Sequence, residues 1–421
     1  MNTTTLHIQF EPVDTWFFRE ARPHDSVGAA RLGSQFPPPA SSLIGTLRTR
    51  LGEVLGIDWI EHAGQDELPG RCTQEFAGIN LSDLLGQGDN TGLLAFGAVE
   101  VWNGEQRLLP VPAFLLKPGS ASQSESLLAL QPGAPMVCDL SEIDPARGRL
   151  AAVVMPALPA GSEGAKPLDN HWLPASLVAE AALSGNAINA KELVAESDLF
   201  VREARLGIAR DNKAGTVLEG MLYQTEHLRP VADLRLAISV TLPAEVADVL
   251  ADSLNQQPLQ RFGGEGRMAR LRVSKSVIPV AKPPKATADT RGLVLMLSGD
   301  VELESRQSRQ SSLFGFKPVV EACSQTGKPQ QVWLGELNGV PLRLVTAVVG
   351  KAVRRGGWDL QKKRPKAMTS YVPAGSCWYV EIPGVEGVAL NEFIPRLQGF
   401  QPGKPSLNGR GALLCGLWNK R

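Results

Sequence analysis

The feature that most constrains this 421-residue chain is a strand-then-helix signature that occurs twice. Leu6, Ile8 and Phe10 alternate with His7, Gln9 and Glu11, the period-two pattern of a half-buried strand that Pro12 ends. After an irregular stretch, Leu43, Ile44, Leu47, Leu51, Val54 and Leu55 recur at helical spacing with Arg48 off the stripe, and Ser41 or Ser42 is placed to cap the helix. In the second half Leu234, Leu236, Ile238 and Val240 alternate with Arg235, Ala237 and Ser239. Val246, Val249, Leu250 and Leu254 then take up the helical period after Pro243. A glycine turn, Arg261-Phe-Gly-Gly-Glu-Gly-Arg267, leads into Ala269, Leu271 and Val273 alternating with Arg270, Arg272 and Ser274, a strand with one apolar and one basic face. Further strands are expected over 291–298, 342–349, 377–382 and 412–418, with no second clear helix among them. Two units that open strand, helix, strand predict an α+β fold compatible with two tandem ferredoxin-like (RRM-like, βαββαβ) domains, with long loop insertions over 117–136 and 156–170. Because 421 residues exceed what one core usually organises, the division is placed between residues 1–229 and 230–421.

Charge supports that line. The chain carries 43 basic and 43 acidic side chains, but residues 1–229 hold 17 and 28 of them, and residues 230–421 hold 26 and 15. A neutral total therefore covers an acidic half and a basic half.

Several classes are disfavoured. No GxxxxGK[ST] phosphate loop, HExxH or GxSxG occurs, and the five histidines do not cluster. Cys72, Cys138, Cys323, Cys377 and Cys415 form no CxxC pair, which argues against a disulfide framework or zinc site and for the reducing cytoplasm. No metal, cofactor or catalytic group is expected. The start lacks a basic n-region and an apolar h-region, and no apolar run nears the roughly 18 residues of a membrane span, so no membrane partner is expected. Gly264 to Ala269 matches GxGxxA on paper, yet a dinucleotide site must open a helix, and this run enters a strand.

The same turn reads better as an anion contact. Gly263 and Gly264 bare the backbone beside Arg267, and Arg261, Arg267, Arg270, Arg272 and Lys275 share residues 261–275 with the single acid Glu265. A second basic block, Lys351, Arg354, Arg355, Lys362, Lys363, Arg364 and Lys366, is opposed only by Asp359 and interrupted by Trp358, an aromatic available for stacking on a single strand. Solvated loops or a packing role for Trp358 are the bland alternatives. Near the start, Trp16, Phe17 and Phe18 adjoin Arg19, Arg22 and His24. The aromatics read first as core; the arginines offer stacking and phosphate forks, with a structural Arg–Glu pair as the alternative, and the residues alone do not assign them to a ligand.

The run Phe10-Glu-Pro-Val-Asp14 through Trp16-Phe-Phe-Arg-Glu-Ala-Arg-Pro23, then Phe36-Pro-Pro-Pro-Ala-Ser-Ser-Leu-Ile-Gly-Thr-Leu-Arg48, resembles the third-subunit family of CRISPR type III-B (Cmr) effector complexes, within the RAMP superfamily. Leu206 to Asp211, Glu219 to Tyr223, Phe262 to Arg267, Gly356 to Asp359 with Lys366, and Val372 to Ser376 continue the likeness in order along the chain. The resemblance implies two ferredoxin-like domains and a non-catalytic role in holding the repeat-derived 5′ tag of the guide RNA. It also implies docking between the large polymerase-like signature subunit and the backbone RAMP subunit. One departure is Asn408-Gly409-Arg410-Gly411, where Arg410 stands in place of an aromatic between glycines. The residues assigned to RNA are Arg19, Arg22, Arg48, Gly263, Gly264, Arg267, Arg270, Arg272, Arg354, Arg355, Trp358 and Arg410. The acidic half is left to face protein partners. Two rivals stand beside this reading: a metal-independent endoribonuclease of CRISPR repeat RNA, for which His24, Tyr223 and Lys404 are the nearest candidates, and a protein-binding scaffold without RNA contact.

Overall fold

A computed structural model describes residues 2–20, 31–59, 75–86, 88–119, 125–138, 141, 143–144, 148–159, 162–211, 213–275, 282–302, 315–322, 327–359, 364–403 and 409–419. The fold is α+β and rich in strands. The principal elements are β1 (Thr3–Pro12), α1 (Ala40–Val54), β2 (Glu100–Asn103), β3 (Gln106–Pro110), β4 (His171–Pro174), β5 (Phe200–Arg210), β6 (Val217–Pro230), β7 (Leu234–Pro243), α2 (Ala244–Gln256) and β8 (Met268–Ser274). Then come β9 (Thr290–Leu297), β10 (Lys317–Ala322), β11 (Pro329–Leu337), β12 (Val340–Val348), β13 (Cys377–Glu381), α3 (Ile394–Leu397) and β14 (Leu413–Asn419).

The first sheet runs β4-β3-β2-β7-β1-β8, with short strands at both edges. Strand β1 lies between β7 and β8 and is antiparallel to both: Phe10 pairs with Leu236 and Leu271, and Ile8 with Ile238 and Val273. These side chains form one face, and α1 and α2 cover it through Leu43, Ile44, Leu47, Leu51, Val246, Leu250 and Leu254. Strand periodicity of two meeting helix periodicity of 3.6 dictates this packing. The opposite face carries Gln9, Glu11, Arg270 and Arg272, and continues through Ala237 to Glu100 and through Arg235 and Trp102 to Arg107.

The second sheet runs β10-β11-β12-β13-β9-β14. Leu293, Leu295 and Leu297 of β9 pack with Leu390, Ile394 and Leu397 on one side, while Val294 and Met296 pack with Leu109, Phe114, Leu173 and Leu183 on the other. Burial on both faces explains the unbroken apolar run of this strand. Strands β3 and β4, with Phe114 between them and Leu183 after them, thus join the two sheets.

The expected division at 229/230 does not follow the sheets. The strand, helix and basic strand over 234–274 complete the sheet begun by β1, because Leu236 and Leu271 bury their faces beside Phe10 under α1. The second sheet begins at Thr290. Read across the first sheet as β8-β1-β7-β2, the four core strands are the fourth, first, third and second of their set in chain order. Strands β9, β12, β13 and β14 repeat that order in the second.

Three smaller expectations also change. Helix α1 starts at Ala40 with Pro39 at its N-cap and no side-chain cap, so neither Ser41 nor Ser42 caps it. Residues 117–136 and 156–170 are not all loop: Leu128–Ala129, Gln131–Met136, Val153–Ala157 and Lys166–Pro167 form small sheets. The long β5–β6 hairpin and the β10–β11 pair carry weaker alternation and were not anticipated. Among the described residues, no helix is long and apolar enough to cross a membrane.

Candidate nucleic-acid interface

The open face of the first sheet presents the basic row. Ala269 and Leu271 turn into the core, so Arg270 and Arg272 necessarily point to the helix-free side, where both are exposed. Glu11 lies across the pair, and Arg272 Nε donates to its Oε1 at 2.6 Å, leaving the Arg272 side chain 67% exposed. Arg261 and Lys275 are also exposed, and Lys275 Nζ contacts Asp248 at 2.9 Å.

The adjoining glycine turn has a structural duty that the sequence reading did not assign. Gly264 N–H donates to the Phe17 carbonyl at 2.8 Å, so this amide is engaged within the fold. Gly263 adopts φ +85°, and a Cβ there would sit 2.6 Å from the Phe17 carbonyl and 3.2 Å from the Phe18 ring. The turn is thereby held against Trp16, Phe17 and Phe18, which are buried as expected, and Phe262 caps them through ring contacts with Phe10, Trp16 and Phe18. Gly263→Ala is expected to lower stability by roughly 1–3 kcal/mol from left-handed strain, with the clash adding to it. Gly266→Ala, at φ +65° in open space, should cost less. Urea midpoints of the two variants check the difference, and a wild-type midpoint for Gly263→Ala would contradict it.

Arg267 is not isolated. Its Nη1 reaches Asp14 Oδ2 at 3.1 Å, and Asp14 also receives Arg229 Nη1 at 3.1 Å and Arg205 Nη2 at 3.4 Å. Glu203 joins Arg205 and Arg229 at 2.7 Å each. Burial opposes ionisation of Asp14, but the Thr15 amide and the arginines outweigh it and hold the carboxyl below its ordinary range. Next to this network His227 is buried, stacks on Phe17 and bonds Thr15 Oγ1 at 3.0 Å. Burial, then Arg205 and Arg267, push its pKa down. Arg205 and Arg229 belong to the half expected to face protein partners, and sequence spacing could not bring them to Arg267. The hairpin does.

The remaining candidates scatter. Arg19 is exposed, with its carbonyl accepting from Gln35 Nε2 at 2.9 Å. Arg48 is half-buried and donates to the Gly86 carbonyl at 2.6 Å and the Gly88 carbonyl at 3.1 Å; burial pushes its pKa down. Arg354 is exposed. Arg355 is buried: it is bound to Asp300, with Nε at 3.0 Å, and to Gln35, so it joins the two sheets. Arg410 is half-buried in a cleft between the sheets. The Trp358 backbone is in a short strand paired with Arg364–Pro365. Arg22 lies outside the described residues, as do His24 and Lys404, two of the three nuclease candidates. The third, Tyr223, packs beside Gly207 on the β5–β6 hairpin. Cys138, Cys377 and Cys415 are free thiols, and burial raises the pKa of Cys415 to about 12. Among the described residues no cluster of three or more His, Cys, Asp or Glu is placed to hold a metal.

The sequence profile of the family described as CRISPR-associated protein (Cas_Cmr3) matches residues 8–418. The chain belongs to the Cas_Cmr3 family. It is a type III-B Cmr subunit, as the motifs had implied. No curated protein matches it. Among solved structures, it is similar at 14% identity to a chain of type III-B Cmr-beta bound to cognate target RNA and AMPPnP, covering 89% of this chain and 86% of that one, with a TM-score of 0.45. A chain of a Csm1-Csm4 cassette in complex with pppApA gives 10% identity, 91% and 100% coverage, and a TM-score of 0.31. A CRISPR-associated protein Cas6 gives 6% identity, 100% coverage of both chains and a TM-score of 0.28. These likenesses are too distant to carry an argument about function; the family match carries the identification.

Proposed function

We propose that this Cas_Cmr3 protein is the non-catalytic, RNA-holding subunit of a cytoplasmic type III-B effector complex, gripping the 5′ tag of the guide RNA and bridging the large signature subunit to the backbone subunit. The observation that carries the RNA contact is the exposed Arg270 and Arg272 pair on the helix-free sheet face, continued by Arg261 and by Arg267 at its Asp14 network. Guanidinium groups neutralise phosphates regardless of sequence, and splayed bases of a single strand supply recognition. The repeated strand order supports two ferredoxin-like units, residues 3–274 and 290–419, with the boundary between them rather than at 229/230. Arg19 and Arg354 are exposed enough to extend the interface, whereas Arg48 and Arg355 act by holding the scaffold. The acidic surface of the first unit is the surface left for protein partners.

Replacing Arg270 and Arg272 together with alanine is expected to weaken binding of tag-bearing RNA to the full-length protein by about 1–3 kcal/mol. The log–log salt slope should become shallower by roughly 1.4, about 0.7 for each phosphate contact on a single strand. Fluorescence anisotropy at several salt concentrations measures both. Unchanged affinity and slope would remove the pair from the interface.

A further inference from the structure

A narrow cleft lies where the two sheets meet, with a free volume of about 50 Å³. Its walls include Glu100, Arg107, Asp300, Arg355 and Arg410. Both carboxylates already have partners. Glu100 Oε2 accepts from His7 Nε2 at 3.0 Å and Trp102 Nε1 at 2.9 Å, and its Oε1 is 3.2 Å from Arg107 Nη1. Asp300 Oδ2 is taken by Arg355, and its Oδ1 accepts from the Ala374 N–H at 3.1 Å. Arg355 spends its remaining donor group on Gln35.

Two guanidinium groups are left incomplete. Among the described residues, Arg107 is buried with no acceptor for Nε and with Nη1 ion-paired to Glu100 but not hydrogen-bonded, and Arg410 Nε is likewise buried without a partner. Among the described residues lining the cleft, three guanidinium groups face two carboxylates, an excess of one positive charge. The exposed Asp89 attracts Arg410 from outside, but Arg48 lies within the field of the same carboxylate, so the excess stands. A buried cation with idle donors is costly unless a matching acceptor is supplied. Gly299 and Gly411 also line the cleft, and their backbones pack so closely that a Cβ on Gly411 would overlap the Gly299 carbonyl. A volume of this size admits a single small group or a few waters, not a base or a nucleoside.

We infer that this inter-sheet cleft is a binding site for one phosphate-class oxyanion, held by Arg107 and Arg410. The oxyanion supplies the acceptors that Nε of each arginine lacks, cancels the excess charge and ties the loop before β14 to the start of β3. The site lies at the buried end of the same sheet face and shares no residue with the exposed Arg270–Arg272 pair, so failure of either leaves the other untouched.

The test is a 31P NMR titration of the full-length protein with inorganic phosphate in a chloride background of constant ionic strength. Saturable binding is expected, and Arg410→Gln should weaken it about tenfold or more. Arg410→Lys, which keeps the charge and loses the Nε donor, should fall between them. Arg107→Gln should weaken it to a similar extent, and the Arg410 variants keep the test valid if Arg107→Gln fails to fold. Displacement of bound phosphate by a 5′-phosphorylated oligoribonucleotide and not by its 5′-hydroxyl counterpart would support the site and identify an RNA terminus as its source of phosphate. Displacement by neither would support a free small oxyanion. No saturation beyond that of chloride, equal binding by wild type and Arg410→Gln, or equal displacement by both oligonucleotides would overturn the proposal.

Discussion

An alanine at Glu100 is expected to lower the unfolding free energy by about 3–5 kcal/mol, the range for removing one partner of a buried ion pair. Glu100 is buried on the inner part of the open sheet face, where it accepts from His7 and Trp102 and is ion-paired with Arg107. Without it, Arg107 keeps its charge in a buried site with no counterion of its own. Glu100→Gln, which preserves shape and some hydrogen bonding, should cost less. The same pair gives a pH signature. Burial alone would raise the Glu100 pKa, but the His7 hydrogen bond and the Arg107 charge outweigh it and hold it below the ordinary 4.5. A carboxyl with a depressed folded pKa contributes stability that is fully present above about 4.5 and is lost as pH falls through the folded value. Chemical denaturation at pH 7 and at pH 4 should show the wild type losing more stability than Glu100→Gln. Parallel losses would contradict the assignment.

Trp16→Ala is expected to cost about 3–5 kcal/mol, because a fully buried indole leaves a cavity that its neighbours can fill only in part. The Trp16 ring lies 6.0 Å from that of Phe18 and 6.1 Å from that of Phe262, and its backbone exchanges two 2.8 Å hydrogen bonds with Leu228. Denaturant unfolding reads this loss directly. If the aromatic were instead a stacking platform for bases, the variant would keep its stability and lose RNA affinity, the opposite pattern.

How much of this was legible in the sequence varies by element. Strands β1, β7 and β8 and helices α1 and α2 were readable because each buries one face, and the alternation of Arg270 and Arg272 with Ala269 and Leu271 fixed which side faces out. The sheet to which 234–274 belongs was not readable, since periodicity describes a strand and not its neighbour across 200 residues. The charge division at 229/230 therefore misled: surface charge follows solubility and partners, not sheet membership. At the candidate interface, the exposure of Arg270 and Arg272 followed from pattern alone. The burial of Arg355 and the carbonyl bonds of Arg48 did not, because an arginine engaged with Asp300 or with the Gly86 carbonyl reads in sequence like one free for phosphate. Gly263 and Gly264 signalled a close backbone approach, and the fold shows that the approaching group is Phe17. Arg205 and Arg229 gave no signal, since only the β5–β6 hairpin brings them to Asp14.

The central claim is that the helix-free face of the first sheet touches the guide RNA. Crosslinking of a photoreactive tag in the assembled effector complex, followed by mass spectrometry, tests it most directly. Adducts on residues 261–275 are the predicted result, and reproducible adducts on neighbouring subunits with none on residues 261–275 would contradict it.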